Sequence, residues 1–231
     1  MEGPLAKEIF RTGDERSRAA AAERCARWLA KFHALGPKAG PVFDSECCLG
    51  LLRHRTHRIA KLGGRCAEKA ARLLQRLEDA AASLVPVEMD AGHGSYSPAQ
   101  VVLAEGRTAV FDWDGYDVAD PARDVARFLY ALRRWALDKL GSIRALDGAA
   151  EVFLKAYVGV GRHEVSKNLW FYEAAACLKL ARTVPSWQEN SEAMLDEGLR
   201  VLDRGFLSEE RRLTQHFKGN ADLRSEGESR P

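Results

Sequence analysis

The sequence predicts a mainly α-helical domain with one small β-hairpin near its middle. Three observations predict it. Apolar residues recur at helical spacing along most of the chain, as in Cys25, Trp28, Leu29, Phe32 and Leu35. Between residues 87 and 115 that period gives way to short β-type runs and turn residues. Gly36-Pro37, Gly63-Gly64 and Pro86 stop the helical segments that precede it.

The elements follow in order. Residues 17–35 read as a helix, and residues 45–62 as a second. Residues 65–84 form a third, with Cys66, Ala70, Leu73, Leu74, Leu77, Ala81 and Leu84 along one side. Val101–Ala104 and Thr108–Phe111 read as brief strands joined by a three-residue turn, Glu105-Gly106-Arg107. A helix restarts at Asp120-Pro121, where Asp suits the N-cap and Pro the first helical position, and runs to about residue 139. Further helices are expected over 147–159, 166–183 and 189–204. The polar tail, residues 217–231, is expected to be disordered.

Composition narrows the function. Apolar residues make up 46% of the 231 residues, enough for a real core in one domain. The formal net charge is only +2, from 35 Lys and Arg against 33 Asp and Glu, so bulk charge gives no argument for nucleic acid. The five cysteines carry no CxxC spacing and read as free thiols in a reducing compartment. No stretch approaches the roughly 20 apolar residues that span a bilayer, and no signal peptide precedes the first helix. A cytoplasmic protein is expected. One local run is basic: between Arg53 and Arg76, ten residues are Arg, Lys or His. It reads either as a phosphate- or acid-binding face or as the solvated side of a helical pair.

The stretch that carries chemistry is His93-Gly94-Ser95-Tyr96-Ser97-Pro98-Ala99-Gln100, then the hairpin, then Phe111-Asp112-Trp113-Asp114, then Asp120-Pro121-Ala122-Arg123-Asp124. A loop enters the hairpin, and the hairpin delivers an acid at its exit. An acid at a rigid strand end, facing an amide-bearing residue twelve positions earlier, can clamp a hard cation such as Mg²⁺ through oxygen ligands. Phosphoryl transfer uses that arrangement. Asp112 also reads as an ordinary strand-end acid, and Gln100 as a simple loop amide.

The segment resembles the catalytic loop of the aminoglycoside phosphotransferase and choline kinase families, whose pattern is H-G-D-x-x-x-x-N, a hairpin, I-D-(W/F)-(D/E), then D-P-A-x-D. The resemblance implies the C-terminal lobe of a protein-kinase-like fold, without the N-terminal β lobe. It implies Asp112 and Gln100 as Mg²⁺ and ATP-site residues, and His93 as the loop's structural histidine. Asp120 and Asp124 match the carboxylates that brace the loop. Met1-Glu2-Gly3 with Leu5 looks like the hinge segment, residues 1–12. Trp28-Leu29-Ala30-Lys31-Phe32-His33 resembles the helix after it, and Phe171-Tyr172-Glu173-Ala174 a late helix. On that basis residues 1–216 form the lobe: 87–118 hold the catalytic loop and metal hairpin, and 119–205 the substrate-side helices. The implied function is transfer of the ATP γ-phosphate to a hydroxyl of a small molecule.

Two departures qualify the resemblance. Ser95 stands where the family has its catalytic Asp, so the catalytic positions here are Ser95 and His93. The chain also begins at the hinge, with no Gly-rich phosphate loop ahead of it. Both keep open an alternative: a catalytically silent, pseudokinase-type binding module, or a truncated piece of a full phosphotransferase. Without its N-lobe, the chain is expected to expose apolar residues from Leu5 to Phe10, a face for an N-lobe partner or self-association. Residues 140–205 hold no strong acidic cluster, so a polycationic aminoglycoside is not favoured as acceptor.

Overall fold

The computed structural model describes residues 2–181 and 189–205. Two of its helices begin on Asp side chains. Asp14 accepts a 2.8 Å hydrogen bond from the Ser17 N–H to open α2 (Glu15–Leu35), and Asp44 accepts one from Cys47 N–H to open α3 (Ser45–Ala60). Ahead of them lies a short α1 (Ala6–Thr12), and after them come α4 (Gly64–Ala81), α5 (Ala122–Leu140), α6 (Asp147–Val158) and α7 (Val165–Lys179). Residues 189–205 form α8. Two small sheets interrupt this series. β1 (Val42–Phe43), β5 (Asp117–Ala119) and β2 (Asp90–Gly92) make one in the order β1-β5-β2, β1 parallel and β2 antiparallel to β5. β3 (Val101–Ala104) and β4 (Arg107–Val110) make the hairpin.

The predicted helices therefore form with their ends shifted by a few residues. The hairpin turn has two residues, not three: Ala104 pairs with Arg107, and Gly106 takes the positive φ of 62° that closes it. Helix α5 begins at Ala122, and Asp120 caps it from outside by accepting a 2.8 Å bond from the Ala122 N–H. The disordered tail expected from residue 217 lies outside the described residues, as do residues 182 and 183 of the late helix.

The expected exposed apolar face at Leu5–Phe10 is not there. Ala6 and Phe10 are fully buried, and Phe10 packs edge-on against Phe128 at 6.1 Å. Leu5 bridges to Val102, and Leu103 N–H donates to Pro4 O at 2.9 Å. The hinge-like segment is a strand edge plus a short helix, both turned inward, because Ala6 and Phe10 lie one helical turn apart on the same side.

The core runs between the helices. Phe128 and Phe153 stack at 4.0 Å, and Tyr96 stacks on Phe128 at 5.6 Å. Most of the basic run from 53 to 76 lies on the exposed side of α3 and α4, where Arg53 pairs with Glu46 and Glu78, and Lys69 with Asp196. Cys25, Cys48, Cys66 and Cys177 are buried free thiols, and Cys47 is exposed. Among the described residues no helix is long and apolar enough to cross a membrane.

Candidate active site

The sheets bring the loop and the acid together by register. Val101 pairs with Val110, so the residues just outside the ladder face each other, and Phe111 N–H donates to Gln100 O at 3.2 Å. Asp112 comes next, beside Gln100 despite the twelve positions between them. Gln100 Nε2 donates to Asp112 Oδ2 at 2.8 Å. Asp112 is exposed and holds φ at 69°, the only positive-φ residue other than glycine among the described residues. Left-handed backbone is uncommon outside glycine, and aspartate is among the residues that tolerate it.

The loop's other polar groups are wired to one another. His93 Nε2 lies 3.2 Å from the Phe111 carbonyl, which accepts only, so Nε2 carries the proton in the neutral ring. His93 Nδ1 is then the acceptor for the Ser95 hydroxyl, 3.2 Å away. Gln100 Nε2 donates its other hydrogen toward Ser95 Oγ at 3.3 Å, and Ser97 Oγ donates to Gln100 Oε1 at 2.7 Å. Ser95, His93, Gln100 and Asp112 thus share one network. Tyr96 anchors it: its ring is fully buried and its hydroxyl donates to Cys25 O at 2.9 Å.

Asp124 braces the loop from below. Its carboxylate accepts His93 N–H at 2.6 Å, Gly94 N–H at 3.0 Å, and His33 Nε2 at 3.4 Å. Burial alone would raise this carboxyl, but the His33 hydrogen bond, the Arg123 charge and the loop N–H groups hold it well below the ordinary carboxylate range. Asp120 directs its hydrogen bonds away from the loop. It accepts from Asn168 Nδ2 and from Ala122 N–H, both at 2.8 Å, and burial pushes its carboxyl up. Its part is to tie α7 to the start of α5.

Two glycines permit the close approaches. Gly94 has φ at 78°, and a Cβ there would collide with the Gly115 carbonyl. Gly92 faces Asp117 in the sheet register, and a Cβ would come within 2.6 Å of Arg123 Nη2. Arg123 and Asp117 form a buried two-pronged ion pair across this spot, at 2.5 Å for each prong. Sequence reasoning missed this pair, although Arg123 lies inside the quoted motif. It also missed Asn168 and the His33–Tyr157 hydrogen bond of 2.6 Å, because their partners lie 48 and 124 positions away.

Aromatic rings flank the acid. Trp113 sits 4.6 Å from the His93 ring and 5.1 Å from Phe32, and Phe111 and Trp113 are both partly exposed. Asp114 is exposed and makes no side-chain hydrogen bond or ion pair among the described residues. One exposed carboxylate with an amide beside it fits Mg²⁺, which takes one or two protein ligands and completes its shell with phosphates and water.

A family model described as a phosphotransferase enzyme family matches residues 3–163. No curated protein sequence matches the chain. Among solved structures, a choline/ethanolamine kinase family protein from Mesorhizobium loti aligns with a TM-score of 0.60 at 14% identity. The alignment covers 86% of this chain and 66% of that one. A glucosamine kinase, solved with glucosamine, ADP and inorganic phosphate, aligns at 0.58 and 18% identity, over 94% of this chain and 61% of that one. An aminoglycoside phosphotransferase from Streptomyces rimosus gives 0.52 and 21%, over 76% and 66%. At these identities the likeness is one of fold. The chain spans about two thirds or less of each of these structures.

Proposed function

This chain belongs to the phosphotransferase enzyme family, and from that premise we propose that it transfers the γ-phosphate of ATP to a hydroxyl of a small molecule. The observation that carries the proposal is the shared network of Ser95, His93, Gln100 and Asp112, ending on an exposed carboxylate with left-handed backbone.

Asp112 and Gln100 are the residues that would hold Mg²⁺, with the Gln100 amide turned to offer its oxygen. When bound, the ion neutralises charge on the phosphates and fixes their geometry. Ser95 orients the acceptor. As the acceptor oxygen bonds to the γ-phosphorus and the bond to ADP breaks, the acceptor's proton passes to Ser95 Oγ. The Ser95 proton moves to His93 Nδ1. His93 keeps its other proton on the Phe111 carbonyl. In a loose transition state little base strength is needed, so this weak relay suffices where the family carries Asp. Asp124 holds the loop backbone in place throughout. ATP as donor and five free thiols point to the cytoplasm as the working compartment.

A second reading, a silent binding module, is favoured by one observation: Gln100 already satisfies Asp112 through its amide hydrogen. A thermal-shift titration with ATP and Mg²⁺ separates the two, run on the wild-type chain beside Asp112→Asn. Asn adopts the left-handed backbone readily, so the variant keeps its fold. A Mg²⁺-dependent rise in Tm that the variant loses supports the kinase reading, since a ligand of the folded state alone must raise Tm. No rise at millimolar ATP overturns it.

A further inference from the structure

Beside the loop, on the far side of Gly92, lies a second group of residues with no part in the network above. Phe43 ends β1. The Arg123 guanidinium lies 4.6 Å from its ring centre, and Lys179 Nζ lies 5.6 Å from it. Arg127 follows Arg123 one turn along α5, with its guanidinium 5.9 Å from the Tyr130 ring. Cys48 of α3 and Tyr172 of α7 close the sides, both buried.

The charges here do not balance. Arg123 is paired with Asp117, yet its Nε is buried with no partner. Arg127 and Lys179 are both mostly withdrawn from water, and neither side chain has a hydrogen bond or ion pair among the described residues. Burial, with Arg123 and Arg127 nearby, depresses the Lys179 ammonium; burial does the same to the Arg127 guanidinium. The nearest carboxylates are spent: Asp117 on Arg123, and Asp124 on the loop and His33. Three largely buried cations with one carboxylate among them, already paired with Arg123, are an unfavourable arrangement unless an anion completes it. Such a cluster repels a cationic ligand.

We infer that the cluster of Phe43, Arg123, Arg127 and Lys179 binds an anionic group, and, resting on the proposed kinase reading, that the acceptor is an acidic small molecule carrying a carboxylate or a phosphate ester besides its hydroxyl. The location supports it: Arg123, within this cluster, packs on Gly92, the residue immediately before the loop. Arg123 itself is committed to Asp117 through Nη1 and Nη2, which leaves Arg127 and Lys179 as the cations an anion engages. Arginine suits this because its fork engages a carboxylate or phosphate with more than one N–H.

The test is thermal-shift titration of the full chain, without nucleotide or magnesium, so that anion binding and nucleotide binding are read separately. The probes are inorganic phosphate, D-glycerate and glycerol. Phosphate or glycerate should raise Tm at millimolar concentration, with glycerol inert; which anion is stronger tells a phosphate-bearing acceptor from a carboxylate. Lys179→Met and Arg127→Met should each weaken that anion at least tenfold. Neither should lower Tm appreciably without ligand, because each removes a cation that has no acidic partner among the described residues and only a long contact to a ring. The inference fails if neither anion raises Tm by 10 mM. It also fails if the rise persists in both variants, or if either variant melts well below wild type in the absence of anion.

Discussion

Asp124→Asn tests whether the loop is held by a buried charge. The wild-type carboxylate accepts three hydrogen bonds, from His93 N–H, Gly94 N–H and His33. Asn keeps one oxygen and turns an NH₂ toward the other donor. The variant loses one charge-assisted bond, worth about 1.5–3 kcal/mol, and leaves a buried N–H facing a donor, which costs about 1–3 kcal/mol more. The sum, about 2.5–6 kcal/mol, is a large part of the stability of an ordinary domain. For a chain of this size it lowers Tm by roughly 5–24 °C. The sign with pH follows from the depressed folded pKa. Asp124 contributes fully above the ordinary carboxylate range and progressively less as pH falls toward its folded value. Urea denaturation at a series of pH values should therefore show the widest gap between wild type and variant near neutrality. The gap should narrow between about pH 5 and pH 2. A loss under about 1 kcal/mol at neutral pH refutes the reasoning, as does a gap that fails to narrow.

Two further substitutions test how the loop and the N-terminal segment are built. Gly94→Ala forces a side chain into positive φ and against the Gly115 carbonyl. Together these should cost about 2–5 kcal/mol in urea denaturation, and a change under 1 kcal/mol would mean the loop does not pack on the 112–115 turn. Phe10→Ala removes a fully buried ring from the contact with Phe128, and should cost about 3–5 kcal/mol. If Phe10→Ala is neutral, α1 is not part of the core.

How much was legible follows from the length of each signal. The longer helices show two or more turns of apolar period, so α2 to α8 were readable to within a few residues. Helix α1 has seven residues, too few for a period, and falls within the segment read only as a hinge, residues 1–12. Strands β1, β2 and β5 have two or three residues each, and a two-residue strand carries no alternation at all. The site was legible where its residues are neighbours in sequence or sit across a short hairpin, as Gln100 and Asp112 do. It was not legible where a partner comes from a distant helix. Nothing in the sequence pairs Asp120 with Asn168 or sets Lys179 beside Phe43; those contacts exist only because α7 packs on α5 and α3.

The two residues that depart from the family's loop pattern touch each other, and this bears on what the departures mean. Gln100 Nε2 has two hydrogens and gives one to Asp112 and one to Ser95. An Asn at 100, on the same backbone, would fall about one bond length, roughly 1.5 Å, short of Asp112. An Asp at 95 would set a second carboxylate on the same amide as Asp112, and two like charges so placed require a cation between them. Ser95 with Gln100 lets the loop close on itself without one. Ser95 and Gln100 therefore fit each other in this loop, through one amide that serves both Ser95 and Asp112. The consequence is directional. A loop already closed keeps its shape without nucleotide, which favours pre-organisation. If Asp112 and Gln100 hold Mg²⁺ as proposed, the ion must first break the Gln100–Asp112 bond, which at an exposed carboxylate is worth about 1 kcal/mol or a little more, roughly a tenfold weakening of metal affinity.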